Sequence, residues 1–153
     1  MTVFSDIADQ WRIADAAFSQ VIQHAFVADD DVLFDETWGQ RQKNDQAYFL
    51  YLFTRFESAV NRAIDLILDN RITGAPWGDR RIWEAWSRIG IEDVHFMSKV
   101  EVLTDKSRAD YGKIRRYYQG RNDVAHGGTW AEQFFIPTIA QEMDQLCAGF
   151  PTA

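Results

Sequence analysis

The sequence predicts an all-α fold: a single-domain bundle of four to six helices spanning residues 1–153. Three observations carry that prediction. Apolar residues recur at steps of three and four along most of the chain, as one face of a helix requires. No stretch alternates apolar and polar residues for long enough to make a strand. Gly74, Pro76 and Gly78 cluster between periodic segments and break the chain there.

Taken in order, the first element carries Phe4, Ile7, Trp11, Ala14, Phe18, Val21 and Ala25 on one seam. Its spacing would also suit a coiled coil, but its three heptads fit a bundle helix. Residues 29–44 are polar and acidic and read as a loop, with Asn44 or Asp45 as the cap of the next helix. That helix extends to about Asn70, with Phe49, Leu52, Phe56, Val60, Ala63 and Ile67 on its stripe, and is the expected hub of the core. Asp79 is positioned to cap a short helix through Trp83, Trp86 and Ile89, which Gly90 ends. A further helix holds Phe96, Met97, Val100 and Leu103. Ser107 with Asp110 is a weak capping box ahead of a basic helix, and Thr129 with Glu132 is a better one. The latter opens a last helix through Phe135, Ile139, Met143 and Leu146, which Pro137 should kink or divide after Ile136.

Composition narrows the function classes. One domain is the natural reading of this length, and the aromatic content (6 Trp, 5 Tyr, 11 Phe) is that of a packed globular chain. The tryptophans are scattered and read as core or interface. The formal net charge of −7 is concentrated in residues 1–36, where eight carboxylates face Arg12 alone. Residues 105–121 run the other way, with six Lys and Arg against Asp105 and Asp110. Whole-chain acidity argues against a general nucleic-acid coat, yet a local basic stretch needs no basic protein around it. The single cysteine, Cys147, reads as a small buried hydrophobe; it permits neither an intrachain disulfide nor a cysteine-based metal site. Cytoplasmic placement is expected: the N-terminus has acids where a leader would have bases, and the longest apolar run, Ala47–Phe53, is too short for a bilayer.

Chemistry concentrates in the stretch YYQGRNDVAHGG, residues 117–128. An imidazole exchanges protons near neutrality, a guanidinium holds a phosphate by two parallel hydrogen bonds, and an amide both donates and accepts. His126, Arg121 and Asn122 supply one of each. No metal cluster or cofactor signature accompanies them. The set suits cleavage of RNA, in which a 2′-hydroxyl attacks the adjacent phosphorus and Arg121 stabilises the added negative charge. On an unbroken helix Arg121 and His126 diverge by about 140° and about 7.5 Å of rise. Gly120, Gly127 and Gly128 therefore suggest a helix junction. One motif supplies one imidazole where cleavage wants an acid and a base, which points to a homodimer with a composite site on its twofold axis.

A helical chain of this size carrying R-N-x-x-x-H in its C-terminal third resembles the HEPN (higher eukaryotes and prokaryotes nucleotide-binding) domain. The layout covers the whole chain; the detailed match is Arg121, Asn122 and His126, with four residues between the Arg and the His. The resemblance implies a metal-independent endoribonuclease that dimerises through the motif and acts as a toxin or in antiviral defence, with a separate antitoxin or other partner protein. It equally allows a non-catalytic interaction or nucleotide-binding module, whose acidic first third would suit a basic partner. Glu57 is a candidate supporting residue that could orient Arg121 or His126; otherwise it is a solvent-facing acid paired with Arg55, Asn61 or Arg62. Tyr117 and Tyr118 could stack on a base, or pack in the core. His24 and His95 lack a matching partner and read as structural. The plain alternative for the motif is that Arg121 and Asn122 cap helix ends while His126 bonds a backbone carbonyl.

Overall fold

A computed structural model describes residues 2–128 and 135–150. The described residues are all-helical: α1 (Val3–Val27), α2 (Asp31–Gly74), α3 (Trp77–Ile89), α4 (Phe96–Leu103), α5 (Ala109–Ala125) and α6 (Ile136–Ala148), with one 3₁₀ turn at Ile91–Asp93. No helix among them is long and apolar enough to cross a membrane. The chain divides into two compact units, residues 1–53 with 120–144 and residues 54–119 with 145–153.

The largest departure from expectation is at residues 31–44, which are helical and not a loop. The acids that suggested a loop do three separate jobs. Asp29 adopts a left-handed backbone with φ of 54°, which Asp tolerates better than most residues. It closes α1: the Asp30 amide donates to the Ala25 carbonyl (3.0 Å) and the Asp29 amide to Phe26 (3.4 Å). The Asp30 carboxylate then accepts from the Leu33 amide at 3.0 Å, capping α2. Asp31 follows in the first turn of α2, at the positive end of its dipole, where carboxylates are favoured; Asp35 and Glu36 lie a turn further in. Phe34 and Trp38 stack one turn apart, and the Arg41 guanidinium lies 5.6 Å from the Trp38 ring. Asn44 and Asp45 are therefore interior to α2 and cap nothing.

The first unit is built on the start of α1 and the middle of α2. Thr2 and Ser5 form a reciprocal capping box that opens α1. Phe4, Ile7, Trp11 and Ala25 of the expected seam are buried, as are Phe49, Leu52 and Phe53 of α2. Each large aliphatic or phenyl side chain among them contributes about 1.5–3 kcal/mol on leaving water, and Ala25 less. Ala14 and Phe18 stay half-buried and Val21 exposed, so the seam is only partly covered. Two buried or part-buried polar bonds tie α1 to α2: Trp11 Nε1 donates to Asp45 Oδ1 (2.6 Å), and Arg41 Nε to Asp15 Oδ1 (2.7 Å). Burial pushes the Asp45 carboxyl above its ordinary range, with Asp15 adding to the rise and the Trp11 bond and Arg41 opposing it.

In the second unit Phe56, Val60, Ala63, Ile64 and Leu68 of α2 are buried, together with Phe96, Val100, Leu103, Ile114 and Tyr117. Ile67, placed on the same stripe from sequence, is only half-buried. Lys99 is 2 % exposed, its Nζ bound to Asn61 Oδ1 at 2.9 Å. His95 is exposed, and its Nε2 lies 3.2 Å from the Tyr118 hydroxyl; Tyr118 stacks on Phe96. Tyr117 is core, which sets aside its role as a stacking platform.

Several capping expectations fail for local reasons. Pro76, not Asp79, precedes α3, and Asp79 lies in its first turn. Ser107 gives both its amide and its hydroxyl to Asp105 Oδ1 at 2.8 Å and so is drawn away from the start of α5. Thr129 and Glu132 lie outside the described residues. Pro137 stands in the first turn of α6, which begins at Ile136, where a missing N–H is no loss; the helix expected ahead of it falls largely outside the described residues. Among the described tryptophans only Trp11 is buried, and Cys147 is half-buried.

Candidate functional site

Arg121, Asn122 and His126 sit at the C-terminal end of α5, in the first unit. Gly120 and Val124, one turn apart, turn inward and are buried. That fixes the rotation of the last two turns. Arg121 lies at the edge of the buried face; Asn122 and His126 lie one turn apart on the opposite side, Arg121 and Asn122 half-buried and His126 exposed. The helix does not bend at the motif. It stops directly after it.

The stop accounts for both glycines. The His126 amide closes the last α-helical bond to the Asn122 carbonyl (3.0 Å). Gly127 takes the left-handed conformation (φ 79°) and donates to Val124 (3.0 Å), while Gly128 donates to Asp123 (2.9 Å). This pair of bonds is the Schellman termination, which places a left-handed residue one position past the cap. A Cβ on Gly128 would stand 2.9 Å from the Asp123 carbonyl oxygen, so that position too is closed to side chains. The glycines thus serve helix termination, and they also quench carbonyls that would repel an anion at this end of the helix.

The side chains form a short chain of their own. Arg121 Nη1 donates to Asn122 Oδ1 at 3.0 Å, so the Asn122 NH₂ is not used in that bond. Asn122 and His126 are neighbours at i and i+4. Asn122 is therefore the residue that can couple the guanidinium to the imidazole, because Arg121 and His126 themselves point about 140° apart. His126 is exposed.

The basic lead-in is weaker than its residue count suggests. Lys106 Nζ is paired with Glu101 Oε2 at 2.9 Å, and Tyr111 donates to the same carboxylate at 3.2 Å. The Lys106 bond holds the Glu101 carboxyl below its usual range, with Tyr111 assisting, and Glu101 in turn raises the Lys106 ammonium. Glu57, half-buried on α2, belongs to the second unit. His24 is exposed near the end of α1. Sequence reading missed the Trp11–Asp45–Arg41–Asp15 cluster because it placed residues 29–44 in a loop. The signal was present: Trp11 and Asp15, and likewise Arg41 and Asp45, are spaced one helical turn apart. No known protein family, characterised protein or solved structure matches the chain.

Proposed function

We propose that this chain is a metal-independent endoribonuclease of the HEPN type, working as a homodimer and acting as a toxin or in antiviral defence. The observation that carries the reading is the array at the end of α5: a half-exposed guanidinium bonded to an amide, with an exposed imidazole four residues further on. In the proposed reaction an imidazole takes the proton of the 2′-hydroxyl. The O2′–P bond forms and the P–O5′ bond breaks, leaving a 2′,3′-cyclic phosphate. The departing 5′-oxygen takes a proton from the imidazolium of the second copy. Arg121 holds the non-bridging oxygens as their charge grows, and Asn122 keeps the guanidinium and imidazole in register.

The experiment is cleavage of end-labelled RNA in EDTA by the wild type and by His126→Ala, both checked for folding and for dimer formation. Loss of rate by about 10²- to 10⁴-fold is expected. Unchanged cleavage by the variant, or a wild type that sediments as a monomer, ends the reading.

A second reading has its own observation. Helix α3 buries no residue and leaves Trp77, Ile82 and Ile89 67 %, 59 % and 57 % exposed. Uncovered apolar faces of this kind favour an interaction module. Wild-type protein that leaves several RNAs intact, with and without divalent metal, supports it.

A further inference from the structure

The seam of α1 that the sequence predicts to be core is left open along its second half. Ala14, Ala17, Phe18 and Val21 of α1 face Leu33 and Asn44 of α2 across a groove of about 520 Å³, all within the first unit. Ala14 and Ala17 leave room for a helix backbone to approach closely. Phe18, Val21 and Leu33 add apolar surface, while Thr37 and Gln40 make the rest of the α2 side polar. The contacting stretches, Ala14–Val21 and Leu33–Asn44, rise about 10 and about 16 Å, the length of two to three helical turns.

Two further features say what fits. Between Arg12 and Arg41 the chain holds six carboxylates and neither lysine nor arginine; Glu36 lines the groove itself. A second copy laid groove to groove would bring like charges together, so the charge pattern selects a cationic occupant. In addition, the Asn44 amide nitrogen is buried and makes no hydrogen bond among the described residues. A buried donor left unpaired is costly, and a shift of the Asn44 side chain on docking would let it meet an acceptor of the occupant.

We propose that this groove is the docking site for a basic amphipathic helix of a separate partner protein. The helix lays an apolar stripe of i, i+3/i+4 and i+7 residues between α1 and α2, and its lysines and arginines meet Glu36 in the lining and the acidic α1–α2 corner. This proposal stands apart from the chemistry at the end of α5 and survives if that chemistry is absent.

The test uses the full chain and two synthetic amphipathic peptides of about fourteen residues, leucine on one face and either lysine or glutamate on the other. Binding is followed by titration calorimetry and by amide shifts of the protein. The lysine peptide binds saturably, moves the amides of Ala14–Val21 and Leu33–Asn44, and exceeds the glutamate peptide by at least about tenfold. Ala17→Arg, at an exposed groove position, weakens the lysine peptide by a similar factor. Ala16→Arg, exposed beside it but outside the lining, changes net charge equally and leaves most of the affinity. Absence of saturable binding, equal binding of the two peptides, or equal loss in both variants overturns the proposal. So does a free protein whose dimer dissociates on Ala17→Arg, because the groove would then belong to a second copy.

Discussion

Trp11 donates its indole N–H to Asp45 at 2.6 Å, joining the first helix to the middle of the second. The bond lies beside the Arg41–Asp15 pair, so one small region holds two carboxylates and one guanidinium. Burial raises the Asp45 carboxyl, which means its ionisation works against the fold. The contribution of this residue is greatest at low pH, where it is protonated in both states. It diminishes as pH rises through the folded-state value. Asp45→Asn keeps an acceptor for Trp11 and cannot ionise. The variant is expected to melt above the wild type at pH 7, with the two melting temperatures converging as pH falls below the aspartate range. A variant that melts lower at pH 7, or a difference independent of pH, contradicts this account of the cluster.

The corner between α1 and α2 makes opposite demands on its two aspartates. Asp30 caps α2, so Asp30→Ala is expected to cost about 0.5–2 kcal/mol. Asp29 holds a left-handed backbone, so Asp29→Gly is expected to be neutral or stabilising, and Asp29→Val destabilising. Urea denaturation of the three variants reads the order directly.

Helix termination and catalysis can be separated at the motif. Gly127→Ala forces a Cβ into a left-handed position and is expected to cost about 1–2 kcal/mol, lowering the melting temperature by roughly 2–4 °C for each kcal/mol in a chain of this size. Measured well below melting, its RNA cleavage should stay near the wild-type rate, unlike that of His126→Ala. If Gly127→Ala instead removes cleavage while leaving the melting temperature unchanged, the glycine is not acting as a helix stop.

Arg121→Lys tests what the guanidinium adds beyond charge. A lysine keeps the positive charge but gives up the planar fork that can hold a phosphate and Asn122 together. Cleavage is expected to fall between wild type and Arg121→Ala. Asn122→Ala should act through the same bond, and combining it with Arg121→Lys should cost less than the sum of the two single changes.

Burial in the second helix provides a stability control away from any chemistry. Leu52 is fully buried, and Leu52→Ala is expected to cost about 2–5 kcal/mol in chemical denaturation.

Much of the molecule could be read along the chain because helical burial repeats every three to four residues. The start of α1, the stripe from Phe49 to Ala63, and the short helix from Phe96 to Leu103 followed from that period alone. So did the presence of Arg121, Asn122 and His126 near a break in helix. Residues 31–44 could not be read so: Asp29, Asp30 and Asp31 look alike as letters. Only the fold gives one a left-handed turn, one a cap and one a place at a helix dipole. The same limit hid Asp45, whose partner Trp11 lies 34 positions away.

What the sequence settled by itself was the periodic part: an all-helical chain, most of its buried faces, and a guanidinium, amide and imidazole held within six residues. Periodicity is local, and a helix needs only its own backbone bonds to exist. Tertiary structure decided the rest. It turned an acidic loop into helix, left half of the α1 seam lining an open groove, and showed that two glycines end α5 rather than bend it. Those outcomes depend on which distant surface a side chain meets, and no local pattern records that.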